Sequence, residues 1–374
     1  MPNISHVNEV LKRKFYKYLV EVKGFSNSSV ERYEDAIWLW QEFTENRNFF
    51  SFKGEEATLF KEWLKSKKKK GNNQELSLCY CYHIFRYLRV FFLWIADQKG
   101  GRSKINKSEI EYLRLAKKEN QIVLNARPTT CPSMEDVRKT IESIEATSEV
   151  ERRDKALLSL ALLTGARIKA LCTLTMQCFD ENTHILYQDP KFGVDTKFSK
   201  RIVSVLLPLS YKETLEYFLD WYKYLRDTKN FKATDPIFPA TKKMGGDESQ
   251  FLGYYSNGEV SDQRWNTTGS ARKVFENRFN GAGVKYYHPH SFRHLLVQEI
   301  MKMPLTEEEK KAISQNFGHE NVGTTFGSYG YGNINEKRQI ELLNGFGDNR
   351  TPAKTIYQLT EGQFLDLIGK VRNS

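Results

Sequence analysis

His290 and Arg293, in the stretch His290-Ser291-Phe292-Arg293, are three residues apart and so share one face of a helix. Downstream come Gly318-His319 and then Tyr329. Upstream, Thr164-Gly165-Ala166-Arg167 offers a second arginine. Two arginines, two histidines and a tyrosine in this order suit the holding and attack of a phosphodiester. Guanidinium groups clamp anionic oxygens two bonds at a time. A phenol attacks phosphorus without a metal when the developing charge is clamped.

Taken singly, each residue is weak evidence. Arg167 follows a glycine and opens a helix, where backbone amides favour an anion. It also reads as an ordinary surface arginine after a helix break. Lys197 lies in Asp195 to Arg201, just before an expected strand at Ile202. A lysine at such a hairpin tip can protonate a leaving oxygen. Lys200 competes for that role, and most hairpin lysines serve only solubility. Pro289 suits a helix start. His294 is adjacent to Arg293 but is expected to point elsewhere. Tyr329 is one of 19 tyrosines, and Tyr331 is its rival.

These residues need a scaffold, and 374 residues are enough for two domains. Hydrophobic residues make up 40% and charged ones 28%, as expected of a globular soluble chain. The longest strongly apolar run, Val90 to Ala96, is too short to span a bilayer. No signal pattern opens the chain, so a cytoplasmic, nucleoid-associated protein is expected. Cys79, Cys81, Cys131, Cys172 and Cys178 include no Cys-x-x-Cys pair. Reduced thiols and no structural metal follow. Cys79 and Cys81 read as core packing.

The net charge of +11 is unevenly spread. Residues 1–130 carry 24 Lys and Arg against 15 Asp and Glu; the remainder carry 33 against 31. Residues 53–130 alone hold 17 against 8, so the excess of the first part sits there. A basic module beside a near-neutral one fits a polyanion, nucleic acid being the commonest. A solvated basic surface is the plainer alternative.

Apolar periodicity predicts four helices in residues 1–100. The first covers 8–23, with Leu11, Phe15, Leu19 and Val22 on its stripe. The second follows Ser28-Ser29 and carries Tyr33, Ile37, Trp38, Trp40 and Phe43. The third runs from Ala57 to Lys69. The fourth spans 76–97, with Tyr80, Ile84, Tyr87, Leu88, Phe91 and Trp94. The aromatic stripes read as core rather than as base-stacking platforms. Lys67, Lys68, Lys69 and Lys70, ending the third helix, are candidate DNA contacts, with Arg86 and Arg89 on the fourth. Residues 101–131 read as a basic linker, helical in part over 109–118. The bundle begins almost at once, so no separate amino-terminal arm-binding module is expected.

The second domain is expected over 132–374. Ser133 and Asp136 open it as a capping box variant. An apolar helix over 151–164 breaks at Thr164-Gly165, strands follow at 184–187 and 202–207, and helices return after Pro208. Beyond Tyr331 a helix is expected over 335–343. Pro352 and an amphipathic segment with Ile356, Leu359, Phe364, Leu365 and Ile368 form a tail from about 350 to 374.

The three boxes together resemble the tyrosine recombinases, the phage-integrase family. Thr164-Gly165-Ala166-Arg167 is similar to that family's first arginine box, His290-Ser291-Phe292-Arg293-His294 to its second, and Gly318-His319 through Tyr329 to the box that ends in the nucleophile. The likeness is close between residues 133 and 331 and weaker over 8–97. It implies a mainly α fold with a small β-sheet, arranged as a two-domain DNA clamp. It implies a site-specific recombinase that integrates or excises a mobile element through a 3′-phosphotyrosine intermediate.

The resemblance also implies roles. Arg167 and Arg293 hold the non-bridging oxygens, Tyr329 attacks, Lys197 protonates the 5′ oxygen, His290 manages the tyrosine proton and His319 hydrogen-bonds the phosphate. Double-stranded DNA is the implied partner, bound by a homo-tetramer on paired sites, with the tail docking onto a neighbouring subunit. Neither a metal nor a small-molecule cofactor is required. Two departures stand out. Many relatives carry an acid three residues after the first arginine, where this chain has Ala170, with Lys169 beside it. Asn316-Phe317-Gly318 replaces the commoner Leu-Gly before the second histidine. A type IB topoisomerase-like relaxing enzyme and a decayed DNA-binding protein are the alternatives.

Overall fold

The computed structural model describes residues 5–329, apart from Lys70, Asn72, 125–129, Pro208, 210–211, 246–253 and Ser256. The chain divides into two compact units, Met1–Arg127 and Pro128–Ser374. The expected helix at 335–343, the tail and Tyr331 lie outside the described residues, as does Lys70.

The first unit is a helical bundle of α1 (His6–Glu21), α2 (Asn27–Phe43), α3 (Gly54–Ser66) and α4 (Leu78–Ala96), followed by short α5 (Lys107–Ile110) and α6 (Lys117–Leu124). Its core is aromatic: Phe15, Trp40, Phe60, Phe85, Phe91 and Phe92 are all but fully buried. Each such side chain contributes roughly 1.5–3 kcal/mol through the area it removes from water. Edge-to-face geometry fixes their packing, as where Trp40 meets Phe92 at 5.1 Å and Phe49 meets Phe91 at 5.0 Å. Asn8, fully buried, is satisfied by the backbone of 46–49. Its amide donates to the carbonyls of Asn46 and Arg47, and its Oδ1 accepts from the Phe49 amide.

Five expectations for this unit need correction. Residues 101–124 are not a linker but part of the bundle, because Ile105, Ile110, Leu113 and Leu115 bury themselves in its core. The lysine run does not end a helix. α3 stops at Ser66, and Lys68 instead pairs in a β-bridge with Glu75 across a turn containing Gly71 at φ +90°. Trp38 and Tyr80 are not core. They are 53% and 41% exposed, since Ala36, Ile37, Trp40 and Cys81, Ile84, Phe85 already define the buried faces of their helices. Cys79 is likewise exposed, while Cys81 is buried. Val22 falls just past the end of α1 and is also exposed.

The second unit is built around α8 (Glu149–Thr164), which buries every residue from Ala156 to Thr164. It is preceded by α7 (Met134–Glu142). Both open with complete capping boxes, Ser133 with Asp136 and Ser148 with Glu151. Gly165 ends α8 in the left-handed region at φ +58°. A one-turn helix α9 (Ile168–Leu171) follows, then an antiparallel sheet in the order β1 (Phe179–Asp180), β2 (Ile185–Gln188), β3 (Ile202–Val205). In β3, Ile202 and Ser204 face inward while Val203 and Val205 face out. β1 is too short to be visible in the sequence, and β3 stops two residues earlier than expected.

α10 (Lys212–Lys223), α11 (Thr268–Gly281), α12 (Ser291–Ile300) and α13 (Glu307–Asn316) complete this unit. Arg153, 1% exposed, tolerates burial because its charge is met by Asp154. That carboxylate also takes two bonds from Arg278 on α11, while the Pro239 carbonyl and Thr241 accept from Arg153.

Candidate active site

The end of α8 provides the first anchor. Gly165 is required there twice over. A side chain would be strained at its φ, and a Cβ would sit 2.6 Å from the Phe317 ring. Its carbonyl accepts a bond from Arg293 Nε at 2.8 Å. Arg293, in the first turn of α12, is 2% exposed. Its guanidinium carbon lies 5.3 Å from the centre of the Phe317 ring. Arg167, the N-cap of α9, is half-buried and comes from the other side.

The two guanidinium groups converge on one atom. Arg293 Nη1 and Arg167 Nη2 lie 3.1 Å and 3.3 Å from His319 Nε2. His319 is delivered by α13, which β3 holds in place. Asn316 at the end of α13 bonds to Val205 like an added strand residue, its Oδ1 accepting from the Val205 amide at 2.6 Å and its Nδ2 donating to the Val205 carbonyl at 3.2 Å. Ser204 donates to the Asn316 carbonyl. Gly318, at φ +72°, lets the chain turn where any Cβ would collide with Ile202. The unusual Asn316-Phe317-Gly318 is therefore a working joint: asparagine grips the sheet edge and phenylalanine packs on Gly165 and Arg293.

Tyr329 closes the cluster from a π-helical turn over Thr324–Tyr329. Its ring stacks on His319 at 5.0 Å and 19°. It meets His290 edge-on at 5.2 Å. The Arg293 guanidinium carbon lies 5.6 Å from the ring centre. His294 does not point elsewhere, contrary to expectation. Its ring is 4.8 Å from that of Tyr329, and its Nδ1 is 3.3 Å from the Tyr329 carbonyl. The reason is that His290, Arg293 and His294, at i, i+3 and i+4, share the face of α12 against which Tyr329 lies.

Burial and the surrounding positive charge act together on the histidines. Burial first, then Arg293, lowers His290 to about 4. His319 falls to about 4 through burial, Arg293 and Arg167. Burial lowers Arg293 itself to about 10, helped by the like charge of Arg167. Both histidines are thus neutral at neutral pH and can accept protons.

Lys197 lies not on a simple hairpin tip but in a short 3-10 turn between β2 and β3, exposed, with its ammonium 4.9 Å from the ring of Phe198. Its charge still acts on His319. Lys200, its rival, is ion-paired with Glu320. Ala170, three residues after Arg167, is 2% exposed in the apolar core. Lys169 beside it pairs with Asp195 and so ties α9 to the loop that carries Lys197. The six expected residues thus lie in one unit, five of them in mutual contact. Thr325 and Ser314 were missed, since nothing in their spacing distinguishes them; His294 and Asn316 stood out in the sequence, but without the contacts found here.

Residues 134–334 match the phage integrase family. The chain belongs to the phage integrase family. It is a tyrosine-type site-specific recombinase, mainly helical with a small sheet. No curated protein matches the chain. Among solved structures, this integrase is similar to an XerH site-specific recombinase bound to a palindromic difH substrate in a post-cleavage complex. Identity is 17% and the TM-score 0.56, over 91% of this chain and 84% of that one. It is similar to a Tn1549 transposon integrase in complex with circular intermediate DNA, at 16% identity and a TM-score of 0.53, over 91% and 99%. A lambda integrase tetramer bound to a Holliday junction matches at 13% identity and a TM-score of 0.54, over 86% and 76%. Among the described residues, no helix is long and apolar enough to cross a membrane.

Proposed function

We propose that this integrase cleaves duplex DNA by attack of the Tyr329 phenol on phosphorus and rejoins it to another strand, integrating or excising a mobile element. The observation that carries the reading is the convergence of Arg167, Arg293 and His319 beside the Tyr329 ring. An anionic oxygen beside His319 Nε2 would be within reach of both guanidinium groups. The P–O bond to the 5′ carbon's oxygen breaks as the P–O bond to Tyr329 forms. His290, neutral and against the phenol ring, takes the phenolic proton. Lys197 supplies a proton to the departing 5′ oxygen. The phosphotyrosine retains the bond energy, so an incoming 5′-hydroxyl can displace it.

Lys67, Lys68, Lys69, Lys70, Arg86 and Arg89 are proposed as backbone contacts of the helical unit. Lys67, Lys68 and Lys69 border a surface groove with Trp38 and Tyr80, which supports this. Lys67 and Arg89 already pair with Glu42 and Glu111, and would exchange those partners for phosphate. A homo-tetramer on paired sites is the proposed assembly. The tetrameric neighbour on a Holliday junction supports it.

The test is a pool of nicked suicide duplexes of random sequence. The wild-type chain should form a covalent adduct that peptide mapping places on Tyr329, and Tyr329→Phe should bind the pool but form none. An adduct mapped to Tyr331 would overturn the assignment of the nucleophile.

A further inference from the structure

The proton positions around His319 follow from its partners. Two guanidinium groups, which can only donate, face Nε2. Nε2 must therefore present its lone pair, and the ring proton sits on Nδ1. Nδ1 is 2.8 Å from Thr325 Oγ1, which accepts that proton's bond. The Thr325 hydroxyl then donates to Ser314 Oγ at 3.0 Å, and the single Ser314 hydroxyl proton is shared between the carbonyls of His319 and Asn321, both at 3.4 Å. Thr325 and Ser314 are fully buried and His319 is 7% exposed, so water does not compete for these bonds.

This arrangement suits the empty site and not the filled one. An anionic oxygen seated between the guanidinium groups would face a bare lone pair on Nε2. We propose that Thr325 and Ser314 are positioning residues that hold His319 neutral with Nε2 bare, and that an anion arriving at the arginine pair loads a proton from solvent onto Nε2. The imidazole then becomes a cation that donates to the anion from Nε2 and to Thr325 from Nδ1. No bond other than N–H forms.

The groups facing His319 support this. Arg293 and His290 come from the start of α12, Arg167 from ahead of α9, Lys197 from the β2–β3 loop and Tyr329 from the following turn. Burial first, and then the cationic ones, hold the imidazole near 4, and a bound anion applies the opposite field. The inference rests on the reading that Arg167 and Arg293 form the phosphate site.

Imidazole nitrogen NMR on the full chain tests it, with His319→Gln identifying the signal among seven histidines. Sulfate serves as the probe because it does not titrate near neutrality; sodium chloride at equal ionic strength is the control. Without sulfate, His319 should be the neutral Nδ1–H form. At a pH between the two midpoints both nitrogens should carry protons with saturating sulfate and only Nδ1 without it, the midpoint of titration rising by about 1–2 pH units. Thr325→Val should lose the single tautomer of the empty state and Thr325→Ser should restore it, with the remaining histidine signals reporting that each variant is folded. If sulfate moves the Arg167 and Arg293 guanidinium signals while His319 stays neutral in either tautomer, the proton uptake is refuted and the phosphate site stands. If sulfate moves none of these signals, both readings fall.

Discussion

His294 Nδ1 donates to the backbone carbonyl of Tyr329 across 3.3 Å. The proposed nucleophile is thus held at its main chain by one residue and at its ring by His290 and His319. Loss of the main-chain hold should let the phenol wander from its line of attack. A misplacement of about 1 Å costs on the order of 100-fold in rate. His294→Leu should slow adduct formation on suicide duplexes by about 10- to 100-fold with DNA affinity unchanged. His294→Asn, whose amide can occupy the Nδ1 position, should recover much of the loss. Equal rates for Leu and wild type would refute the role.

Lys197 and Lys200 are separable by leaving group. An ordinary 5′ alkoxide needs a proton, whereas a 5′-bridging sulfur does not. Lys197→Ala should cleave the ordinary substrate poorly and the sulfur substrate nearly as well as wild type. Lys200→Ala should treat both alike, because its ammonium is committed to Glu320. The comparison is a single-turnover rate on the two duplexes; an unrescued Lys197 variant would remove it from the role of acid.

Gly165→Ala should be strongly destabilising and inactive. The left-handed φ costs about 1–2 kcal/mol for a residue with a Cβ. The collision with Phe317 adds roughly 1–3 kcal/mol, and it displaces the ring against which Arg293 rests. Chemical denaturation of the variant should show the loss, and a change within 0.5 kcal/mol (about the error of a surface substitution) would contradict the packing described.

The lowered histidines make the empty protein acid-sensitive. His319 titrates near 4 when folded and near 6.5 when unfolded, so between these values the unfolded chain binds more protons. Stability should fall as pH drops through that window, and the loss should be complete below about 4. One such shift is worth at most on the order of 3 kcal/mol, reduced by solvent near the open site. Urea melts without sulfate, from neutrality to about pH 4, should show a steeper fall for wild type than for His319→Gln. Glu149, whose pKa is lowered, contributes in the same direction at the acid end, and the difference between the two proteins removes it. Parallel curves would show that His319 does not carry the effect.

Sequence reading works here where a residue's role is set by its own neighbours in the chain. Ser133 and Ser148 cap helices through residues three places on, and Phe15, Trp40 and Phe91 declare their burial by helical spacing. Arg167, His290, Arg293, His319 and Tyr329 were legible because their boxes resemble a known order. It fails where a role depends on what arrives from far along the chain. Ile105, Ile110 and Leu113 are sparse among charges and look like linker until the bundle core is seen to receive them. Thr325 matters only because His319 and Ser314 flank it in space. Arg153 stands in a helix whose apolar pattern says nothing of it, and its burial depends on carbonyl and hydroxyl partners more than eighty residues away.

Arg293, nearly sealed from water with another guanidinium beside it, has an electrostatic consequence for the whole fold. Like charges this close, one buried and one half-buried, work against the native state, and a neutral imidazole does little to offset them. An anion bound between them relieves that repulsion. Any anion that binds there acts as a folding ligand. At about 100 times its dissociation constant it adds about 2.7 kcal/mol to stability. Part of what DNA contributes on binding is then spent relieving the enzyme's own pocket. Substitutions that would settle that pocket in isolation would stiffen the protein at the expense of its chemistry.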